Sequence, residues 1–221
     1  MATRRFLDGT ELFADLPTSV VDHLSARTEI RELARGDILF AQDEASTELF
    51  VILEGRIAIA TRSNDGRESL VAIMEPGGLF GELGLFDDGP RSADARALSA
   101  TTVAALSFEH VRAVLREQPE LLWIVVRLLA GRLRATDEAL ADAIFLDVPA
   151  RTAKRLLELA TDDDTVELPM TQEDLAGLVG ASRERVNKAI ALFVKLGWLE
   201  AAGRGRYRIL DREQLSLRAN P

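Results

Sequence analysis

Between Ile30 and Phe108 the chain alternates short apolar runs with turn residues. Asp65-Gly66 separates two of these runs, and an Asp-Gly pair between alternating segments is a strong hairpin signal. Several short strands with glycine in their turns predict a small closed or rolled β structure. Upstream of it, residues 10–30 predict short helices with Pro17 in a first turn. The predicted strands are residues 37–40, 49–55, 56–62, 69–74 and 101–108.

The period of the pattern becomes helical near Pro119 and stays so to about Phe145. Apolar or small side chains recur there at alternating steps of three and four residues, which is a heptad repeat. The helix could pack on its own β domain or pair with a second copy of the chain. Polar flanks in its C-terminal half leave a narrow apolar stripe, which favours pairing. The repeat comprises Leu122, Val126, Leu129, Leu133, Thr136, Leu140 and Ala143.

The sequence FLDVP at residues 145–149 interrupts this helix. Asp147 is suited to cap a new helix whose first turn begins near Pro149. We therefore predict four segments: a β domain with N-terminal helices over 1–118, a dimerisation helix over 119–146, a hinge over 147–149 and a C-terminal domain over 150–221. Within the last segment the pattern predicts a helix over 150–160, an acidic loop over 161–164, three short helical elements over 168–198 and a basic hairpin over 201–210.

The composition, with 47% hydrophobic and 29% charged residues in 221, is typical of a soluble globular protein. No apolar run approaches the roughly 18 residues that span a bilayer, and the N-terminus lacks the apolar stretch of a signal peptide. We therefore expect a cytoplasmic protein without a membrane partner. The chain has no cysteine, which excludes disulfides and iron–sulfur ligation. His23 and His110 have no second ligand at motif spacing, so no metal site is expected.

The net charge of −9 argues at first against nucleic acid as a partner. The charge is unevenly distributed, however: residues 1–149 carry 15 basic and 25 acidic side chains, whereas residues 150–221 carry 12 and 11. Phosphate contacts depend on the field within a Debye length of about 8 Å. The C-terminal segment is therefore compatible with DNA.

The segment from Met170 to Glu200 has the pattern of a helix-turn-helix. Thr171 is a good N-cap with Asp174 in the capping-box position. Gly180 supplies a tight turn, and we expect Ser182 to cap the second helix. Two helices joined by a short glycine turn form this DNA-binding motif.

The second of these helices separates polar from apolar side chains by rotation. Arg183, Glu184, Asn187 and Lys188 lie within about 140° of arc, which suits the face that enters the major groove. An ordinary amphipathic helix with a Glu184–Lys188 pair fits the same pattern. The opposite face carries Val186, Ala189, Ile190 and Phe193.

A basic hairpin favours the DNA-binding interpretation. Arg204, Arg206 and Arg208 alternate along one strand, so they lie on one face of it. Such a ribbon can lie against phosphate groups. Helix-turn-helix and hairpin together predict a winged helix-turn-helix.

A glycine-rich segment in the β domain suits a small cyclic phosphate ester. Gly81 lets backbone N–H groups approach an anion closely, and Arg91 can pair with a phosphate. Ser92 can donate a hydroxyl hydrogen bond, and Glu82 can accept one from a ribose hydroxyl. A simple connection between strands fits this segment as well.

Three motifs in fixed order resemble the cyclic AMP receptor protein (CRP) branch of the CRP/FNR regulator superfamily, and most of all its actinobacterial members. They are FGEL at 80–83 with RSA at 91–93, FLDVP at 145–149 and VGASRE at 179–184. The resemblance covers nearly the whole chain. It implies an α+β fold: an N-terminal β-roll (jelly-roll-like) cyclic-nucleotide-binding domain, a long dimerisation helix and a C-terminal winged helix-turn-helix.

The same resemblance implies a transcription regulator and not an enzyme. The expected partners are a second copy of the chain, double-stranded DNA with a palindromic TGTGA-like site, and RNA polymerase through the surface around residues 161–167. The expected allosteric ligand is cyclic AMP, with no cofactor. A constitutive DNA binder or a regulator with another effector would share this fold. A nucleotide-responsive enzyme or channel module does not fit, because the sequence offers no catalytic constellation and no membrane span.

The resemblance also assigns residues. Thr136 would contact the adenine from the same subunit and Asp137 from the partner, while Arg183, Glu184 and Lys188 would read base edges. The expected effector-binding residues are Val71, Gly81, Glu82, Leu83, Arg91, Ser92, Ala93, Thr136 and Asp137. The expected DNA-binding residues are Thr171, Gln172, Ser182, Arg183, Glu184, Arg185, Lys188, Arg204 and Arg206.

Three departures from the family pattern matter. The loop before Arg91 is one residue shorter than in the enterobacterial type. Lys188 replaces a frequent arginine, so a point charge replaces a bidentate fork. Asp137 stands where serine or asparagine is usual; its carboxylate could accept from the adenine amine and would repel the carbonyl of guanine.

Overall fold

The computed structural model describes residues 16–62, 68–167, 171–203 and 205–220. The predictions for residues 10–15, for the Asp65-Gly66 turn and for Arg204 lie outside these ranges. The chain forms two compact units, Met1–Leu133 and Arg134–Pro221, and each is considered by itself. This division falls inside the long helix. The predicted segment boundaries stay predictions.

The first unit consists of two antiparallel sheets with helices at its start and end. One sheet has the strand order β1-β8-β3-β6 and the other β2-β7-β4-β5. The elements are α1 (Thr18–Ser25), β1 (Glu29–Leu33), β2 (Ile38–Phe40), β3 (Glu48–Glu54), β4 (Ile57–Arg62), β5 (Glu68–Met74), β6 (Leu79–Phe80), α2 (Leu83–Asp87), β7 (Asp94–Ala97), β8 (Thr101–Ser107), α3 (Phe108–Glu117), a 3₁₀ turn (Pro119–Leu121) and the first half of α4 (Leu122–Phe145).

Strand β3 is buried on both faces. Phe50 and Ile52 pack into a cluster between the two sheets. Leu49 and Val51 point the other way and pack with α1, α3 and the start of α4. Because successive side chains of a strand alternate between faces, burial on both sides requires a continuous apolar run, which residues 49–53 provide.

Helix α4 confirms the predicted helix up to Phe145. Its N-terminal turns join the core of the first unit through Val125, which is buried. Much of the heptad repeat is exposed in the chain taken alone, including Leu122, Val126, Leu133 and Leu140. In the parts of the chain that the structure describes, no helix has the length and apolarity needed to cross a bilayer.

The second unit is a helical domain with a small antiparallel sheet. The sheet has the order β10-β11-β9, and β10 and β11 form the predicted hairpin. Of the three helical elements predicted over 168–198, the described residues hold two, so that prediction was wrong in number. The elements are α5 (Val148–Glu158), β9 (Thr165–Glu167), α6 (Gln172–Val179), α7 (Arg183–Lys195), β10 (Leu199–Gly203), β11 (Arg206–Ile209) and α8 (Arg212–Ala219).

The break between α4 and α5 is capped as predicted. The Asp147 carboxylate accepts from the N–H of Ala150 at 2.9 Å and pairs with Arg218 at 2.6 Å. Partial burial opposes ionisation of Asp147, but the Ala150 N–H and the Arg218 guanidinium outweigh it and lower the pKa of Asp147. The start of α5 is therefore capped by an ionised carboxylate.

Two basic side chains of α5 tie this break to its surroundings within the second unit. Arg151 donates to the carbonyl of Leu146 at 2.6 Å and to that of Val179, the last residue of α6, at 2.9 Å. Lys154 pairs with Glu138 at 2.8 Å and with Asp142 at 2.6 Å, both on α4. The end of the long helix is therefore bonded to α5, and α5 to the turn of the helix-turn-helix.

Candidate ligand site and nucleic-acid interface

Gly81 adopts a backbone conformation that favours glycine. Its φ is +75°, and a Cβ placed on it would lie 2.7 Å from Nη1 of Arg91. The carbonyl of Gly81 accepts from that same nitrogen at 2.8 Å. A side chain at this position would therefore strain the backbone and displace the arginine. The structure thus brings together Gly81 and Arg91, two of the predicted effector-binding residues.

Arg91 is a buried cation held on an aromatic cluster. Its guanidinium carbon lies 4.2 Å from the ring centre of Phe40 and 5.3 Å from that of Phe50. Only 6% of the residue is exposed, and its Nε has no hydrogen-bond partner among the described residues. Burial lowers the pKa of Arg91, although nearby carboxylates, among them that of Glu82, oppose this. An anion at this guanidinium would compensate the burial of its charge.

The backbone of Arg91 is fixed from both sides. The N–H of Asp43 donates to the Arg91 carbonyl at 2.9 Å, and the Arg91 N–H donates to the carbonyl of Glu44 at 2.8 Å. Asp43 has a positive φ of 68°, a conformation that aspartate tolerates better than most residues. The guanidinium is therefore positioned by the main chain as well as by its aromatic support.

Glu82 is buried and paired with Arg132 of α4, which is not among the predicted effector-binding residues. Arg132 donates to the Glu82 carboxylate and also to the carbonyl of Leu79. The two residues are 50 positions apart, so no local pattern could indicate the pair. Its place at the predicted ribose acceptor makes Arg132 a further candidate site residue.

The other predicted effector residues differ in their exposure. Ala93 is buried, whereas Leu83, Ser92 and Val71 are exposed. Thr136 and Asp137 are exposed on the part of α4 that belongs to the second unit. The assignment of these residues to an effector site stays a prediction. Where the structure describes the chain, no group of three histidine, aspartate or glutamate side chains could hold a metal ion.

The helix-turn-helix of the second unit forms largely as its capping residues predict. The Thr171 hydroxyl accepts from the N–H of Asp174 at 3.2 Å, and the Asp174 carboxylate accepts from the N–H of Thr171 at 2.9 Å. Gly180 ends α6 with a φ of +67°. Ser182 occupies the N-cap position of α7 but its side chain makes no capping hydrogen bond, which corrects the prediction that it caps the helix.

The two faces of α7 are as the rotation predicts. The apolar face is buried through Val186, Ile190 and Phe193, while Arg183 and Arg185 are exposed. Lys188 and Glu184 are exposed and pair with each other at 2.6 Å. Both interpretations, an ordinary amphipathic helix and a DNA-reading helix, are therefore compatible with the structure. The Glu184–Lys188 pair forms, and the face that carries it is exposed.

Gln172 was predicted to contact DNA, but its side chain is bonded within the protein. Its side-chain N–H donates to the hydroxyl of Tyr207 on β11 at 2.9 Å, so it links α6 to the hairpin. Thr171 and Ser182 are exposed, and so is Arg206 on β11. The assignment of these residues to DNA contacts stays a prediction.

Comparison with known proteins relates both units to described families. Residues 30–118 match the cyclic nucleotide-binding domain, and residues 150–218 match the Crp-like helix-turn-helix domain. The CRP-like cAMP-activated global transcriptional regulator of Mycobacterium tuberculosis is 39% identical over 215 residues, which cover 94% of this chain and 96% of that protein. The cAMP-activated global transcriptional regulator Vfr of Pseudomonas aeruginosa is 33% identical over 184 residues, 79% of this chain and 86% of that one.

A solved structure shares the fold. FixK2 from Bradyrhizobium japonicum superimposes with a TM-score of 0.79 at 20% identity, covering 88% of this chain and 98% of that one. These matches confirm the predicted fold class, a β-rich nucleotide-binding domain followed by a long helix and a helix-turn-helix.

Replacing Gly81 by alanine tests the backbone argument. We expect Gly81→Ala to destabilise the protein by about 1–3 kcal/mol, because it forces a strained conformation and a contact with Arg91. Gly131→Ala is the matched control: its Cβ would meet nothing within 4 Å, and it lies inside α4, so a gain of about 0.5–1 kcal/mol is expected. Urea unfolding midpoints measure both. Equal midpoints for the two variants would contradict the argument.

Proposed function

Because the chain belongs to the CRP/FNR family of transcriptional regulators, we propose that it is a homodimer that binds cyclic AMP in its first unit and a palindromic DNA site in its second. The family is one of DNA-binding regulators and not of enzymes. The observation that carries the choice of ligand is the buried guanidinium of Arg91 beside Gly81 and Glu82.

The chemistry of the first unit supports a cyclic nucleotide. Arg91 offers a phosphate a buried N–H that has no partner among the described residues, and Ser92, the next residue in the chain, carries a hydroxyl. Glu82 offers a carboxylate to a ribose hydroxyl, while Arg132 neutralises that carboxylate. A ligand that is an anion at one end and a sugar at the other satisfies both groups.

The exposed apolar stripe of α4 supports the homodimer. Leu133 is 62% exposed and Leu140 59%, and both belong to the predicted heptad repeat. An apolar stripe of this period is covered efficiently by the same stripe of a second helix, with knobs-into-holes packing. Pairing would also bring Asp137 of each chain toward the partner's nucleotide, as the family resemblance implies.

The exposed polar face of α7 supports base readout in the major groove. Arg183 can address guanine bidentately, and Glu184 can accept from the amino group of cytosine. Arg185, Arg204 and Arg206, together with Thr171, Gln172 and Ser182, are proposed to hold the phosphate backbone. Gln172 would do so mainly by its position at the start of α6, since its side chain bonds to Tyr207.

The proposed coupling between ligand and DNA is a population shift. A nucleotide that favours one geometry of the α4 pair also favours one position of α5, because Lys154 and Arg151 bond α5 to the end of α4. DNA competence requires the two recognition helices to lie about 34 Å apart, one turn of the duplex. Contact with RNA polymerase around residues 161–167 and a cytoplasmic location complete the proposal.

A gel-shift titration on a duplex with palindromic TGTGA half-sites tests the function. We expect the wild type to bind at least about tenfold more tightly with cyclic AMP than without it, and Arg183→Ala to lose about tenfold, the value of one bidentate base contact. Lys195→Ala, at the far end of α7, is the control and should bind as the wild type does. Binding without any preference for this duplex would overturn the proposal. Equal binding with and without cyclic AMP would favour the constitutive alternative.

The carboxylate of Asp137 is proposed to select adenine over guanine. We expect the wild type to bind cyclic AMP more tightly than cyclic GMP and Asp137→Ser to narrow that ratio, since serine can donate to the guanine carbonyl. Calorimetric titration of both proteins with both nucleotides measures the two ratios. Equal binding of the two nucleotides by the wild type would end this idea.

A further inference from the structure

Helix α2 lies inside the segment that carries the proposed ligand residues, and it is short. It spans five residues, follows Glu82 directly and ends before the loop that leads to Arg91. So short a helix cannot satisfy its own C-terminal carbonyls, which need donors from elsewhere. Its side chains bury little: Leu83 and Phe86 are exposed, and Leu85 is its one large buried residue.

Arg112 of α3 supplies the missing donors. Its Nη2 donates to the carbonyl of Leu85 at 2.8 Å and to the carboxylate of Asp88 at 2.5 Å, and its Nε donates to the Leu85 carbonyl at 3.2 Å. A longer contact of 3.4 Å reaches the carbonyl of Gly84. A cation at the C-terminal end of a helix also faces the negative end of its dipole. One guanidinium therefore holds the end of α2 and the residue after it.

The base of this contact is rigid. Val111 and Val114, on either side of Arg112, are buried in the same apolar cluster as Leu85. The Ser107 hydroxyl accepts from the N–H of Glu109 at 3.2 Å and caps the start of α3. Arg112 thus projects from a helix whose neighbouring side chains are buried, and its hydrogen bonds join α2 to that helix.

We propose that Arg112 is a positioning residue for nucleotide binding. The segment it holds has Glu82 at one end and Arg91 at the other, so its place sets the separation of the two groups proposed to bind ribose and phosphate. Asp88 supports this role: it has a positive φ of 54° where the chain turns back toward Arg91, and its carboxylate bonds to Arg112. The inference rests on the proposed function, because it concerns the same ligand site.

The test compares Arg112→Met, which keeps the length of the side chain but has no donors, with Arg112→Lys and with Arg116→Met as the matched control on the same helix. Calorimetry on the full chain gives the Kd for cyclic AMP. Amide hydrogen exchange without nucleotide follows residues 82–91, with β3 as an internal reference. We expect Arg112→Met to raise the Kd about tenfold, with Arg112→Lys in between and Arg116→Met equal to the wild type. In Arg112→Met we expect faster amide hydrogen exchange over residues 82–91 and unchanged exchange in β3.

Three outcomes would overturn the proposed role of Arg112. A Kd for Arg112→Met within about twofold of the wild type would overturn the inference and leave the proposed function standing. Faster exchange in β3 as well as in 82–91 would show that Arg112 stabilises the whole unit, and would also overturn it. A wild type that takes up no cyclic AMP would overturn the proposed function, and the inference with it.

Discussion

The burial of one positive charge governs the arrangement of the first unit. Removing a guanidinium from water costs several kcal/mol unless other groups replace the water. For Arg91 the replacements are the Gly81 carbonyl, the ring of Phe40 and the field of nearby carboxylates. They leave Nε without a partner among the described residues. An anion bound at this guanidinium, as we propose for the phosphate of a nucleotide, would complete the compensation.

The surrounding features follow from that constraint. Gly81 is needed because only a residue without Cβ allows the backbone to meet Arg91 so closely. The ring centres of Phe40, Phe50 and Phe80 lie 5.5–6.1 Å apart. The guanidinium of Arg91 lies against the first two of these rings. Arg132 pairs with Glu82 and neutralises its carboxylate, so this carboxylate would not repel an anion bound at Arg91 as proposed. The same α4 that carries Arg132 continues into the second unit, where its end is bonded to α5.

Local patterns predicted the elements whose causes are local. The continuous apolar run of β3, the capping box of Thr171 and the cap of Asp147 each depend on residues within a few positions of one another. The pairing of Glu82 with Arg132 and the contacts of Arg112 with α2 join residues 50 and about 27 positions apart, and only folding brings them together. Elements α2, β9 and α8 were missed because they are short and have weak apolar periods. The capping bond expected of Ser182 does not form, because an N-cap residue type does not guarantee the side-chain contact.

Calorimetric titration of cyclic AMP into the wild type and into Arg91→Met tests whether the buried charge of Arg91 holds the ligand. Methionine fills much of the same volume over Phe40 and Phe50 but carries no charge, so the unit should remain folded. We expect saturable binding by the wild type and a loss of about a hundredfold or more in Arg91→Met, because a buried phosphate without its cation is strongly disfavoured. Unchanged affinity in a folded Arg91→Met would show that the charge of Arg91 does not hold the nucleotide.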